Sequence, residues 1–231
     1  MSEPLYKRLH ATPKPIDRKA ATKHFELFLN DLDAEHSSAL RSMINEHVPL
    51  HSLLIALASQ SPYLWRLIRR DPARLLQLLA SDPDFRFSQL LAQSHEAAKQ
   101  HAGDEADIKH ALRLVKQEAA LLIALCDLGD VWDVIRVTEA LSDLADATLE
   151  AALTFLLDAE VAQNRMRPIS PTQPSGVVVL ALGKHGAREL NYSSDIDIVV
   201  LYDAERAPLS DGVEPSPFFV RLVKGLVRLI D

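Results

Sequence analysis

Only two of the seven glycines, Gly103 and Gly129, fall within the first 165 residues of this 231-residue chain. A stretch that poor in glycine, with apolar residues recurring every three or four positions, is expected to fold as a bundle or array of helices. Phe25, Leu29 and Leu32 give one apolar stripe, and Leu50, Leu53, Leu54 and Leu57 give another. Asp71-Pro72 reads as an N-cap followed by proline at the first helical position. A long helix is expected after Asp104, with Ile108, Ala111, Leu112, Val115 and Ala119 on one face. A further one runs from near Val131 past Leu141, Leu144, Leu149 and Leu153. Trp65 and Trp132 sit in apolar helical segments as core or interface anchors. His47 and His51 are four apart, but no Glu-x-x-His context surrounds them, so they read as surface or core histidines rather than metal ligands.

The pattern changes at Arg165. The run RMRPISPTQPSG contains Pro168, Pro171, Pro174 and Gly176 and cannot continue a helix. GVVVLALG then reads as a buried strand, HGARELN as one or two helical turns, and DIDIVVLYD as a second strand. A loop with Pro208, Pro215 and Pro217 follows. FFVRLVKGLVRLID closes the chain as a helix with Phe218, Phe219, Leu222, Val223, Leu226, Val227 and Ile230 on its apolar face. The expected class is therefore α+β: a helical region over 1–165, a linker over 166–175, and the beginning of an α/β domain over 176–231. Two strands fall short of the three a sheet needs for independent stability, so this second domain is expected to be truncated.

Composition narrows the function. Lys and Arg total 25 against 32 Asp and Glu, a net charge of −7, and no Lys/Arg run stands out, which argues against a mainly nucleic-acid-binding role. No segment approaches the roughly eighteen apolar residues of a membrane span, and the opening MSEPLYKRLHATPKP has no apolar signal core. The expectation is a cytoplasmic protein with no membrane partner. Cys126, the only cysteine, lies in the apolar run AALLIALC and reads as a buried, inert thiol.

Asp-x-Asp occurs three times. Asp31 and Asp33 lie in a helical stretch, where residues two apart point in different directions. Asp82 and Asp84 flank a proline in a turn and read as helix caps. Only Asp195 and Asp197 open a strand, where side chains at i and i+2 share a face with Cα atoms about 6.6 Å apart. At an effective dielectric near 20 their repulsion is on the order of 2–3 kcal/mol, which suits a dication, and hard carboxylate oxygens favour Mg²⁺. Upstream, the first strand ends at Gly183-Lys184. Glycine lets backbone approach a phosphate closely, and lysine supplies a mobile positive charge. The spacing is not that of a P-loop.

The run LGKHGARELNYSSDIDIVVLYD resembles the signature of glutamine synthetase adenylyltransferase/adenylyl-removing enzymes, a branch of the DNA polymerase β-like nucleotidyltransferases. Lys184 departs from the Gly-Ser or Gly-Gly of the wider superfamily but fits this branch, and a weaker similarity runs through LSDLADATL at 141–149. The resemblance implies a Mg²⁺-dependent enzyme that acts on a tyrosine of glutamine synthetase. One unit of such enzymes attaches AMP; the other removes it by phosphorolysis, with inorganic phosphate as nucleophile and ADP as product. The Asn191-Tyr192-Ser193-Ser194 lead-in is similar to the N-terminal, adenylyl-removing copy. By the same resemblance Asp195 and Asp197 would be catalytic metal ligands, while Gly183, Lys184 and Ser194 would contact nucleotide or phosphate. ATP and ADP would be substrates or products, and glutamine synthetase and the PII signalling protein would be partners. The third carboxylate of the superfamily is expected beyond residue 231, so these residues alone are expected to be inactive. Glu189 reads equally as a supporting contact or a solvated helix position. The rival readings are a PII uridylyltransferase and a non-catalytic helical interaction module.

Overall fold

A computed structural model describes residues 3–101, 103–170 and 173–230; Pro171 of the expected linker and Asp231 lie outside them. The described residues begin with a 3-10 turn, Leu5–Lys7. Then follow α1 (Arg18–Asp31), α2 (Ala34–Glu46), α3 (Val48–Gln60), α4 (Pro62–Arg70), α5 (Pro72–Ala80), α6 (Pro83–Gln100), α7 (Glu105–Leu128) and α8 (Val134–Ala162). The remainder is β1 (Val177–Ala181), α9 (Gly183–Gly186), β2 (Ile198–Tyr202) and α10 (Pro215–Ile230). No helix among the described residues is long and apolar enough to cross a membrane.

Aspartate sets most of the helix starts. The side chains of Asp17, Asp33, Asp71, Asp82, Asp104 and Asp133 each accept a backbone N–H in the first turn of the helix that follows. Each such cap contributes about 1 kcal/mol. Asp71-Pro72 is arranged as its sequence implies. The pair Asp31 and Asp33 is not: α1 ends at Asp31, Leu32 is extended, and Asp33 caps α2. A hydrogen-bonding side chain two residues past the end of α1 outweighs continued periodicity.

The chain packs as two compact units, one running to Gln89 and joined by Gln117–Val137, the other comprising Leu90–Lys116 and Thr138 onward. In the first unit, Leu50, Leu53, Leu54 and Leu57 of α3 are buried as the stripe requires. Trp65 lies edge-on to Phe28 at 5.0 Å, and Trp132 edge-on to Phe87 at 5.8 Å. His47 is the N-cap residue of α3 and its Nε2 lies 2.8 Å from the Leu9 carbonyl, whereas His51 faces the Phe25 ring, so the two do not converge on a metal. Cys126 is buried, and that burial pushes its thiol well above the usual range.

The second unit carries the sheet. β1 and β2 are antiparallel, with Val177 opposite Tyr202 and Ala181 opposite Ile198. Leu149, Ala152 and Phe155 of α8 and Leu226 and Leu229 of α10 form a core with Ile108 and Leu112 of α7, and Ile196 and Ile198 pack against it. Phe218, Phe219 and Leu222 close a second cluster with Leu157, Met166 and Val177. Helix α10 begins at Pro215, so Pro215 and Pro217 belong to its first turn rather than to the preceding loop; the missing amide of proline costs nothing there. Its buried face includes Gly225 and Leu229, while Val227, expected inside, is 46% exposed. Lys109 and Lys116 of α7 donate to the carbonyls of Arg228 and Ile230, satisfying acceptors that the last turn leaves open.

Candidate functional site

β1 and β2 are antiparallel, so the end of one lies beside the approach to the other. Gly183-Lys184 therefore faces the stretch that carries the two aspartates. The Leu182 amide donates to the Asp197 carbonyl at 2.8 Å, one step beyond the Ala181–Ile198 pair. Gly183 has φ +53°, and the point where a Cβ would stand is 3.3 Å from Asp197 Oδ2. The left-handed conformation favours glycine at this place, and a Cβ would also push the exposed Asp197 carboxylate aside by a few tenths of an ångström.

Strand β2 begins at Ile198, so Asp195 and Asp197 precede it instead of opening it; Asp197 retains the one ladder bond through its carbonyl. The alternation nevertheless extends back through them. Asp195, Asp197, Val199 and Leu201 are exposed, whereas Ile196 and Ile198 turn toward the core. That alternation is what puts residues two apart on one face in extended chain. Water at exposed carboxylates screens their repulsion below the 2–3 kcal/mol estimated for an effective dielectric of about 20. Among the described residues no group of three or more His, Cys, Asp or Glu converges for a metal, so the pair has no third protein carboxylate there. Asp203 is committed elsewhere, accepting from the amides of Glu205 and Arg206.

Lys184 is exposed on α9, which is a single turn. HGARELN thus yields less helix than its sequence suggests, because Arg188 turns left-handed at φ +59° immediately afterwards. One turn sums few peptide dipoles, so attraction for an anion rests on the Lys184 ammonium more than on a helix terminus.

The loop before the aspartates is organised by Asn191, which sequence reasoning passed over. Its Oδ1 accepts from the Ser193 amide at 3.1 Å and from the Ser194 hydroxyl at 2.9 Å. Ser194 Oγ in turn accepts from the Asn191 amide at 3.2 Å. Asparagine suits such a turn because its carboxamide substitutes for a backbone acceptor. Ser194 is therefore engaged on both its donor and acceptor sides in shaping the approach to Asp195. Glu189 is exposed, and its amide donates to the Lys184 carbonyl at 2.7 Å.

A second group of residues was not anticipated. His185 is 3% exposed and its Nε2 lies 2.8 Å from Asp146 Oδ1 on α8. A carboxylate only accepts, so Nε2 carries the hydrogen; Nδ1 has no partner among the described residues, which suits a bare lone pair better than a buried N–H. Arg188 reaches back to Asp143 and, at 3.5 Å, to Asp146. Its guanidinium is held above its ordinary pKa, chiefly by the hydrogen bond to Asp143. Gly186 completes the lock: a Cβ there would stand 2.5 Å from the Ala181 carbonyl oxygen. The two aspartates come from LSDLADATL, which the sequence marks only by its family likeness, and they fasten α8 to the Gly183–Arg188 turn.

Residues 51–231 match the family profile described as glutamate-ammonia ligase adenylyltransferase. Three similar proteins share the name bifunctional glutamine synthetase adenylyltransferase/adenylyl-removing enzyme. The one from Rhodopseudomonas palustris strain BisB5 is 47% identical over 226 residues, covering 96% of this chain and 23% of that protein. The one from Bradyrhizobium diazoefficiens is 42% identical over 231 residues, covering 99% and 23%. The one from Xanthobacter autotrophicus is 45% identical over 202 residues, covering 86% and 20%. The chain thus spans under a quarter of the length of these relatives.

Proposed function

Because this chain belongs to the glutamate-ammonia ligase adenylyltransferase family, we propose that it contributes the metal- and phosphate-binding part of a nucleotidyltransferase centre acting on glutamine synthetase. The direction we infer is phosphorolytic removal of AMP from a tyrosine, on the similarity of Asn191–Ser194 to the adenylyl-removing copy. The observation that carries the reading is that Leu182-Gly183, with Lys184 next in the chain, meets Asp197 at adjoining strand ends. The names of the relatives favour it over a PII uridylyltransferase or a purely structural helical module.

In this reading Asp195 and Asp197 hold Mg²⁺, and their donor set fits that ion: exposed, hard oxygens with room left for waters and substrate phosphate oxygens. Bound Mg²⁺ would neutralise charge developing on the transferred phosphoryl group. The chain's own residues do the rest. Gly183 admits a phosphate close to the backbone, Lys184 offers a mobile positive charge to it, and the Asn191–Ser194 turn fixes where Asp195 emerges. His185, held by Asp146, keeps the Gly183–Gly186 turn against the end of β1. We place the helices of 1–165 as the partner-facing part and 176–231 as the nucleotide-facing part. ATP or ADP and inorganic phosphate are the small-molecule substrates or products, and PII signalling protein is a partner implied by family resemblance. The superfamily's third carboxylate is assigned outside the described residues.

The test is made in a full-length enzyme of this family carrying this segment, with adenylylated glutamine synthetase as substrate. Asp195→Asn should abolish phosphate-dependent ADP release with AMP attachment intact. Loss of attachment with removal spared would reverse the assignment of direction. The 231-residue chain alone should turn over negligibly beside one extended by about a hundred residues, room for several more strands and helices.

A further inference from the structure

The first unit carries a charge distribution that its acidic parent chain does not lead one to expect. Residues 14–24 hold Lys14, Arg18, Lys19 and Lys23 against Asp17 alone, and residues 66–70 hold Arg66, Arg69 and Arg70 with no acid, in a chain of formal net charge −7. Both segments border one open groove of about 1000 Å³ between α1 and the α3–α4 junction, whose charged lining residues are Asp17 on the α1 side and Arg66, Arg69 and Arg70 on the α4 side. Arg66, Arg69 and Arg70 line it and are exposed, and none makes an ion pair with a described residue. Helix-dipole complementarity accounts for Arg69 and Arg70 in the last turn of α4, but not for Arg66 a turn earlier.

The groove also has an apolar side. Ala21, Ala58 and Trp65 contribute to its lining, and Ile16 stands at its edge 94% exposed. The segment bearing Ile16 is anchored: Gln60 Nε2 at the end of α3 donates to the Lys14 carbonyl at 2.7 Å. Three arginines along the α4 side of a partly preformed groove, set against Asp17 on the other side, complement a ligand that brings more than one carboxylate beside an apolar side chain. Single-stranded nucleic acid is a poorer match, since it seeks aromatic faces to stack on. Trp65 is 9% exposed and already packed against Phe25 and Phe28.

We propose that this groove docks an acidic, apolar-anchored segment of a partner protein. Arg66, Arg69 and Arg70 set orientation, Lys14 and Lys19 on either side of the start of α1 add to the encounter rate, and the groove floored by Ala21, Ala58 and Trp65 beside the exposed Ile16 receives the apolar anchor. The proposal is independent of the nucleotidyltransferase reading, because every residue it uses belongs to the first unit.

The test uses the 231-residue chain and four labelled probes: pools of short peptides mixing Asp/Glu with Leu/Phe, matched pools with Lys in place of the acids, matched pools with Ser in place of the apolar residues, and an oligothymidylate. The acidic–apolar pool should bind, with an affinity that falls as salt is raised. Replacing exposed side chains in Arg66→Ala/Arg69→Ala/Arg70→Ala should weaken it about tenfold or more. Lys14→Ala/Lys19→Ala should weaken it less while reducing the salt dependence, and thermal melting should match the parent in both variants. The proposal is overturned if no pool binds, if the acid–Ser pool or oligothymidylate binds as tightly, or if the triple variant binds unchanged.

Discussion

Replacing Asp146 by Ala isolates the contact that ties α8 to the Gly183–Arg188 turn. The loss has two parts, and their sizes differ. His185 Nε2, on a ring that is 3% exposed, is left as a buried donor without an acceptor. Hydrogen bonds involving a charged partner contribute about 1.5–3 kcal/mol, and an orphaned buried donor costs a similar amount. Asp146 is itself close to half exposed, which puts the cost toward the lower end, about 2 kcal/mol. The second part, the exposed pair with Arg188, contributes about 0–1 kcal/mol. Native-state hydrogen exchange at the Leu182 amide, which donates to Asp197, reads the opening of this corner directly. Asp146→Ala should lower its opening free energy by about 2 kcal/mol, and Arg188→Ala, which removes the partly exposed pairs to both Asp143 and Asp146, by about 1 kcal/mol. Equal losses from the two substitutions, or no loss from the first, would refute the assignment of His185 as the buried anchor of the turn.

Gly183→Ala should destabilise this corner by about 1 kcal/mol, because a left-handed alanine costs roughly 1–2 kcal/mol and the smaller unfolded-state entropy returns part of it. Gly186→Ala should cost more despite the higher helix propensity of alanine, since its Cβ meets the Ala181 carbonyl at 2.5 Å; urea unfolding of the two variants checks the order. Cys126 should resist a disulfide reagent at pH 8 until the chain is unfolded, as burial disfavours its thiolate. Tyr6→Phe should remove one limb of the pH–stability profile and shrink another. The Tyr6 hydroxyl donates to Glu46 at 2.6 Å, and this bond is the main cause lowering the Glu46 pKa and raising that of Tyr6. The Glu46 contribution is present above the ordinary glutamate pKa near 4.3 and is lost as pH falls through the depressed one; the Tyr6 contribution is present below about 10 and is lost as pH rises through the raised one. Denaturation midpoints measured across pH should show both limbs in the parent; in the variant the alkaline limb should be gone and the acid limb reduced, since Lys7 and Ser42 still lower the Glu46 pKa.

Much of this molecule can be read from residue order because its local signals agree. Asp71-Pro72 and the leucines of α3 are such places; β1, read as a buried strand, forms where the aliphatic run implies but leaves Val178 and Leu180 exposed, because only one of its faces is covered. The places where reading fails are those where a side chain acts over a distance. Nothing local in LSDLADATL indicates that Asp146 meets a histidine 39 residues later. Nor does propensity show that Asn191 closes a turn around Ser194, or that DID stays outside β2, since hydrophobic alternation continues through Ile196 regardless of ladder bonds. Val227 fits the apolar stripe of α10 by spacing but lies at its margin, where Gly225 and Leu229 take the buried places instead.

The most direct measurement is a Mn²⁺ titration, the paramagnetic stand-in for Mg²⁺, followed through backbone amide resonances of the chain. If Asp195 and Asp197 form the cation platform beside Gly183, broadening should begin at Leu182–Lys184 and Asp195–Ile198, and Mg²⁺ should reverse it. Asp195→Asn/Asp197→Asn should shift the titration by about tenfold or more while leaving the rest of the spectrum in place. Broadening centred on other residues, or the same midpoint in the double variant, would contradict the assignment.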